Sequence, residues 1–598
     1  MNVRNSLLTF IIIGNLSPVI AQQYKDYIGA GNNIGITVTA SSSTGASTPA
    51  KTLDGSGLDA ATYDASRFLG QATFGADIEL INDVKEMGYE AWINDQFTKS
   101  PQTILPVMNT IWDEIYALDN NTFGPYALHF NYAWWQTNMT NQDLLRQRTA
   151  FALSQILVTS INSDLRDWAD CLSSYYDIFV TNAFGNYKDI MLQVTKHPAM
   201  GYYLSHLNNP REDTENNIHP DENYAREIMQ LFSIGLHQLN PNGTKVTDGN
   251  GNPVPTYNNN DIKELAKVFT GLGGGATLDM MWCPDQPEFG TDMYCLDKTV
   301  PMIMFAWAHE PGPKTFLGHT IPGSTTYTNE TAMAEVENAV DFLFNHPNTG
   351  PFVSYRLIQR LVTSNPSPEY VERVAAKFAN NGSGVRGDMK AVIKAILLDE
   401  EARSQEAYLN PNSGKLREPM LRYTHISRAI PTDSHRDRYW NNGYNYLDAT
   451  RQHVMASPSV FNFYGPDYQP VGDWSALDLV GPEFKIHNTA TSIGYINSVH
   501  GWTLWNSLMY SWQGTETSPD GVWLLLNELE SVANDSETLI NELDKLFTHG
   551  QLSDETRQVM RNALNPMQTP WEQASPNGVR VKLALYLMMI SPDYNCSK

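Results

Sequence analysis

The segment HPDENYAREIMQLFSIGLH, from His219 to His237, gathers groups suited to acid–base and anion-binding chemistry. Glu222 and Arg226 are four residues apart, the spacing of an ion pair on one helix face. Glu227 falls instead inside the apolar stripe of Tyr224, Ile228, Leu231 and Ile234, with Asn223 at its edge. A carboxylate aimed into an apolar face is costly unless it is paired. Two other segments offer partners. In DLLRQRTAFALSQILVTS, Arg148 and Gln155 lie within the stripe of Leu144, Leu145, Phe151, Ala152 and Ile156. In SYRLIQRLV, Arg356 and Arg360 border a third stripe. The expectation is a buried cluster of Glu227 with Arg148, joined by Asn223, Gln155 and Arg360. As a catalytic site, Glu227 would be the acid or base, with Glu222 and Arg226 beside it. Arg148, Asn223, Gln155, Arg360 and Arg356 would then hold an anionic ligand. The competing reading is a structural ion-pair network that fixes helix register.

Histidines suggest a different chemistry. His197, His206, His219 and His309, with Glu222 or Glu310, contain the donor types of a metal site, but HExxH and comparable ligand spacings are absent. GLGGG (271–275) lacks the following Lys-Ser/Thr of a phosphate cradle, and the chain has no GxSxG elbow. No motif names a cofactor. The aromatic runs NYAWWQTNM (131–139) and VFNFYGPDYQP (460–470) fit either core filling or a surface on which sugars stack.

The elements that must position these groups read as helices. Apolar residues recur at three- and four-residue spacings in ADIELINDVKEMGYEAWINDQF, PFVSYRLIQRLV, EYVERVAAKFA, GDMKAVIKAILLD and RVKLALYLMMIS. In the opening segment, Pro220 suits the first helical position and Gly235 a left-handed C-terminal cap. Residues 240–260 and 271–323 are irregular, rich in Gly, Asn and Pro, and read as loop insertions. The fold expected is mainly α: one large multi-helical domain over 61–598, with long irregular loops and at most a small β-hairpin.

Residues 1–21 read as a signal peptide, with Arg4, a short apolar core at 7–16 and small residues at Val19 and Ala21. Residues 22–60 read as a Ser/Thr/Gly-rich leader. No run is long and apolar enough to span a membrane, so a secreted or periplasmic protein is expected. The net charge of −25 disfavours nucleic acid as a partner. Cys283 and Cys295 bracket a loop-like stretch and are expected to form a disulfide; Cys171 and Cys596 remain.

Several blocks then occur in a telling order: ASRFLGQATFG, LRQRTAFALSQILV, HPAMGYYL, DENYAREIMQLFSIGLH, HEPGPKTFLG, YRLIQRLVTSNPSPEYVERVAAKF, GDMKAVIKAILLDEEAR and LALYLMMISPDY. Together they resemble the bacterial domain-of-unknown-function family 1800, a set of large exported proteins, over nearly all of 64–595. The family pattern Asn-Glu-Asn-(Tyr/Leu)-Ala-Arg-Glu is matched by Glu222, Asn223, Arg226 and Glu227, with Asp221 in place of the first Asn. The resemblance implies an envelope or polysaccharide setting and a co-exported sulfatase-like partner, but no reaction. The expected function is to bind or act on an extracellular or envelope polysaccharide. A metal-dependent hydrolase or oxidoreductase and a non-catalytic envelope or matrix protein are the alternatives.

Overall fold

The computed structural model describes residues 60–118, 124–404, 410, 412–511, 520–565 and 576–598. The signal and nearly all of the leader expected from the sequence lie outside the described residues. The chain is mainly helical, and its buried apolar side chains form one cluster running from Ala65 to Tyr594. No described helix is long and apolar enough to cross a membrane.

Strands are short and pair in small sheets rather than one hairpin. Four such sheets occur among the described residues, three of them two-stranded. In the three-stranded one, Asp520–Leu524 lies between Thr432–Ser434 and Met509–Ser511. The pair that matters for the site joins distant segments: Lys415–Leu416 runs antiparallel to Cys596–Ser597. The irregular 271–323 insertion is tied by the expected Cys283–Cys295 disulfide.

The helix Leu144–Ser154 explains most of the central layout. Sequence periodicity gives it an apolar stripe and a polar remainder, but it has almost no wet face: Arg146, Gln147, Arg148 and Thr149 are all buried. Each buried polar group then needs a partner. Arg146 donates to the carbonyl of Val180 (3.1 Å), Gln147 to that of Gln102 (2.8 Å) and Arg148 to that of Arg360 (2.6 Å). The last bond fixes this helix against Thr349–Leu361.

The helix of the opening segment is shorter than its sequence pattern suggests. It spans Asn223–Gln230, with Glu222 at the N-cap position. Pro220 stays outside it because Asp221 takes over the local hydrogen bonding. The Asp221 carboxylate accepts from the amide of Asn223 (2.8 Å), and its own amide donates to Asn209 (2.9 Å).

Candidate functional site

The buried charges do not gather on Glu227. They gather on Glu418, at the start of the helix Pro419–Ala429. Glu418 is fully buried. One of its oxygens accepts from Gln155 (2.7 Å), Gln452 (2.6 Å) and the Tyr464 hydroxyl (2.7 Å). Burial alone would push its pKa up; Lys415, Arg360 and Arg148 outweigh that and hold it below the ordinary value. Arg360 stacks over the Tyr464 ring at 4.7 Å. Arg148, Gln155 and Arg360 are thus brought together as the sequence suggests, but around a different carboxylate. Tyr464 comes from the second aromatic run. In the first, Trp134 and Trp135 are wholly buried, so both are core residues.

The tetrapeptide Lys415-Leu416-Arg417-Glu418 builds the centre. In an extended segment alternate side chains share a face, so Lys415 and Arg417 both line one cavity. Pro419 then starts the helix, leaving Glu418 at its buried entrance. Lys415 is buried; it pairs with Glu483 (3.1 Å) and donates to the carbonyls of Gln359 (2.9 Å) and Arg360 (3.1 Å).

That cavity is narrow, with a volume of about 20 Å³ for the centre of a water-sized molecule, and it opens to solvent at its mouth. One wall is the segment from Arg67 to Gly75, within the first family-like block; Arg148 and Leu361 form another. Lys415, Arg417 and His425 make the third, and His549 and Lys598 complete it. Close packing requires glycine at Gly75. Its φ is +142°, and an added Cβ would lie 2.9 Å from the His425 backbone. No Asp or Glu side chain is among the lining residues.

The two lining histidines are uncharged. Arg417 donates to His425 Nδ1, which obliges His425 Nε2 to carry the proton it donates to the Leu546 carbonyl (3.0 Å). Ser66 donates to the Lys545 carbonyl (2.5 Å), so His549 Nδ1 donates to Ser66 (2.8 Å). Burial, and then the Arg417 charge, push both pKa values well below the ordinary histidine range. The positive character of the cavity therefore comes from arginine and lysine alone.

The remaining residues expected at the site lie elsewhere. Glu222 and Arg226 form the i,i+4 pair at 3.1 Å, half-exposed. Asn223 is exposed, because it begins the helix instead of lying one turn inside it. Glu227 is buried, as its stripe position requires, but one carboxylate oxygen has no hydrogen-bond partner among the described residues. Burial pushes its pKa up to about 7, opposed only in part by Arg226. Arg356 stacks on Phe352 at 4.9 Å, and burial, with Arg360 adding to it, pushes its pKa down to about 10. The expected Glu227–Arg148 pairing is corrected: both side chains point inward, but toward different neighbours.

Gly235 closes the segment in the left-handed region, with φ +70°. An added Cβ would also lie 2.9 Å from the Phe352 ring. Gly235→Ala is expected to cost about 1–2 kcal/mol from the backbone alone, read as a lower urea midpoint.

The four histidines considered for a metal disperse. His197 caps the helix Pro198–Tyr203, and His206 stacks on Tyr224 at 3.9 Å. His219 is exposed, 3.3 Å from Glu212. His309 meets Glu335 (3.1 Å) and Lys314 (3.2 Å). Among the described residues no group of three or more His, Cys, Asp or Glu side chains is arranged to hold a metal ion.

Sequence reasoning missed Glu418, Lys415 and Arg417. The readable signal was the run KLREP, in which charges alternate just before a proline that starts a helix. A family model described as "Protein of unknown function (DUF1800)" matches residues 67–596. No curated protein and no solved structure matches the chain.

Proposed function

Because the chain belongs to the DUF1800 family, whose description names no reaction, its function must be argued from the site, and we propose an exported protein that holds an acidic polysaccharide in the cationic cavity. The observation that carries this reading is the cavity lining. Arg67, Arg148, Lys415, Arg417 and Lys598 meet there without a lining Asp or Glu side chain, in a chain whose net charge is −25. The overall negative field does not defeat local binding. At physiological salt, charges separated by more than about 8 Å are largely screened, so the nearby cations dominate. The Cys283–Cys295 disulfide supports an oxidising location. A co-exported sulfatase-like partner fits the same reading, since sulfated glycans are acidic.

The test is binding of the full chain to polygalacturonate, alginate and dextran sulfate, with neutral dextran as control. Acidic chains are expected to bind with an affinity that falls as salt rises, and neutral dextran is not. A ligand at 100 times its Kd should add about 2.7 kcal/mol of stability. Equal binding of neutral and acidic chains, or of neither, would sink the reading.

A second reading is favoured by the bonds around Glu418: a non-catalytic envelope or matrix protein in which the charges only fix helix register. It expects no saturable response to any glycan. A metal-dependent hydrolase or oxidoreductase has less support, given the dispersed histidines.

A further inference from the structure

We propose that Arg148 is the anchor of the cavity and holds a single oxyanion through its unpaired guanidinium N–H groups, an inference that rests on the anionic-ligand reading above. Arg148 is only 1% exposed, yet its Nε and Nη1 atoms have no hydrogen-bond partner among the described residues. Its one side-chain bond among the described residues, from Nη2, goes to the Arg360 carbonyl (2.6 Å). The neighbouring cations are better answered. Lys415 has Glu483 and two carbonyls. Arg417 has His425 and lies 4.4 Å over the Tyr594 ring. Arg67 reaches Asp64 at 3.8 Å.

Two facts then point to a ligand and to its charge. A buried guanidinium with unused N–H groups loses their hydration without replacement, which proteins rarely tolerate. Nε–H and the Nη1 N–H groups point to different sides, Nε–H lying beside the Nη2 group that already bonds the Arg360 carbonyl, so the Nη1 amino group is the free end offered, as a charge-assisted donor, to a carboxylate, sulfate or phosphate oxygen. Glu418 is a positioning residue in this scheme: it is the leading counter-charge to Arg148, while one of its oxygens takes the hydrogen bonds of Gln155, Gln452 and Tyr464 and the other has no partner among the described residues.

The experiment titrates the full chain with sodium sulfate, phosphate, acetate and galacturonate against sodium chloride at matched ionic strength, following Tm. At least one oxyanion is expected to raise Tm saturably, and which one identifies the anchoring group. Arg148→Lys, which keeps the charge but withdraws the guanidinium donors, is expected to weaken that anion at least tenfold; Arg148→Met should abolish the response. A rise that is linear and unsaturated, or no larger than with chloride, overturns the proposal on the unaltered protein, whether or not the variants fold. So does a folded Arg148→Lys variant with unchanged affinity. The two readings fail separately. Saturable anion binding lost in Arg148→Lys, with no polysaccharide binding, removes the polysaccharide and leaves the anchor. Polysaccharide binding that Arg148→Lys leaves intact removes the anchor alone.

Discussion

Glu418→Leu is expected to remove about 3–5 kcal/mol of stability, the range for breaking a buried charge arrangement by deleting one partner. The substitution strands three donors at once, from Gln155, Gln452 and Tyr464. It also leaves Arg148 and Arg360 without the carboxylate that balances them. Each orphaned buried donor costs about 1–3 kcal/mol, so three give about 3–9 kcal/mol, a range that contains the first figure. Urea denaturation at neutral pH gives the measurement. A loss below about 1 kcal/mol would mean that the carboxylate is not what makes the central cations tolerable. A second signature separates charge from packing: sulfate should recover part of the loss in Glu418→Leu, because an added anion can stand in for the missing one.

Glu227→Gln is expected to act in the opposite direction. Its carboxyl is buried with one oxygen unpartnered, and its pKa is pushed up to about 7. A carboxyl whose pKa is raised on folding binds its proton more tightly in the native state. Stability is therefore fully present below the ordinary glutamate value and is lost as pH rises toward 7. The span corresponds to about 3 kcal/mol. The glutamine variant carries no such cost, so it should match the unaltered protein near pH 4 and exceed it at pH 8. Urea midpoints across pH 4–8 decide the matter. A variant less stable at pH 8 would show that the carboxylate has a partner there and would restore the sequence-based view of a paired Glu227.

The contrast between these two glutamates shows how far the sequence could be read. Helical periodicity placed Glu227 on a buried face, and it is buried. It also drew Arg148, Gln155 and Arg360 inward, and they converge. The mainly helical fold, the Cys283–Cys295 disulfide and the Glu222–Arg226 pair were legible for the same reason: each depends on local spacing. Which carboxylate meets which arginine depends on contacts between segments more than 200 residues apart, such as Arg148 with Arg360 or Gln155 with Glu418. Local period carries no information about those contacts. Glu418 escaped notice because it stands at a strand-to-helix junction, where neither the period of two nor that of 3.6 applies. Asn223 was misplaced for a related reason: the Asp221 side chain moved the helix start past Pro220.

The pairing of Lys415–Leu416 with Cys596–Ser597 has a consequence for the order in which the molecule assembles. The cavity takes its walls from residues near 70, 148, 415 and 549 and from the last strand. Closing so long a loop is not thermodynamically prohibitive, since each doubling of loop length adds only about 0.6 kcal/mol. Kinetically, however, such distant pairings are late and slow. A chain interrupted after Leu543 could still form the Arg148 helix and its neighbours, yet it would lack His549 and the strand that carries Ser597. The proposed anion binding would therefore report completion. It marks the moment when both ends of the described chain have met, and a ligand captured there stabilises the finished fold as a whole rather than any one helix.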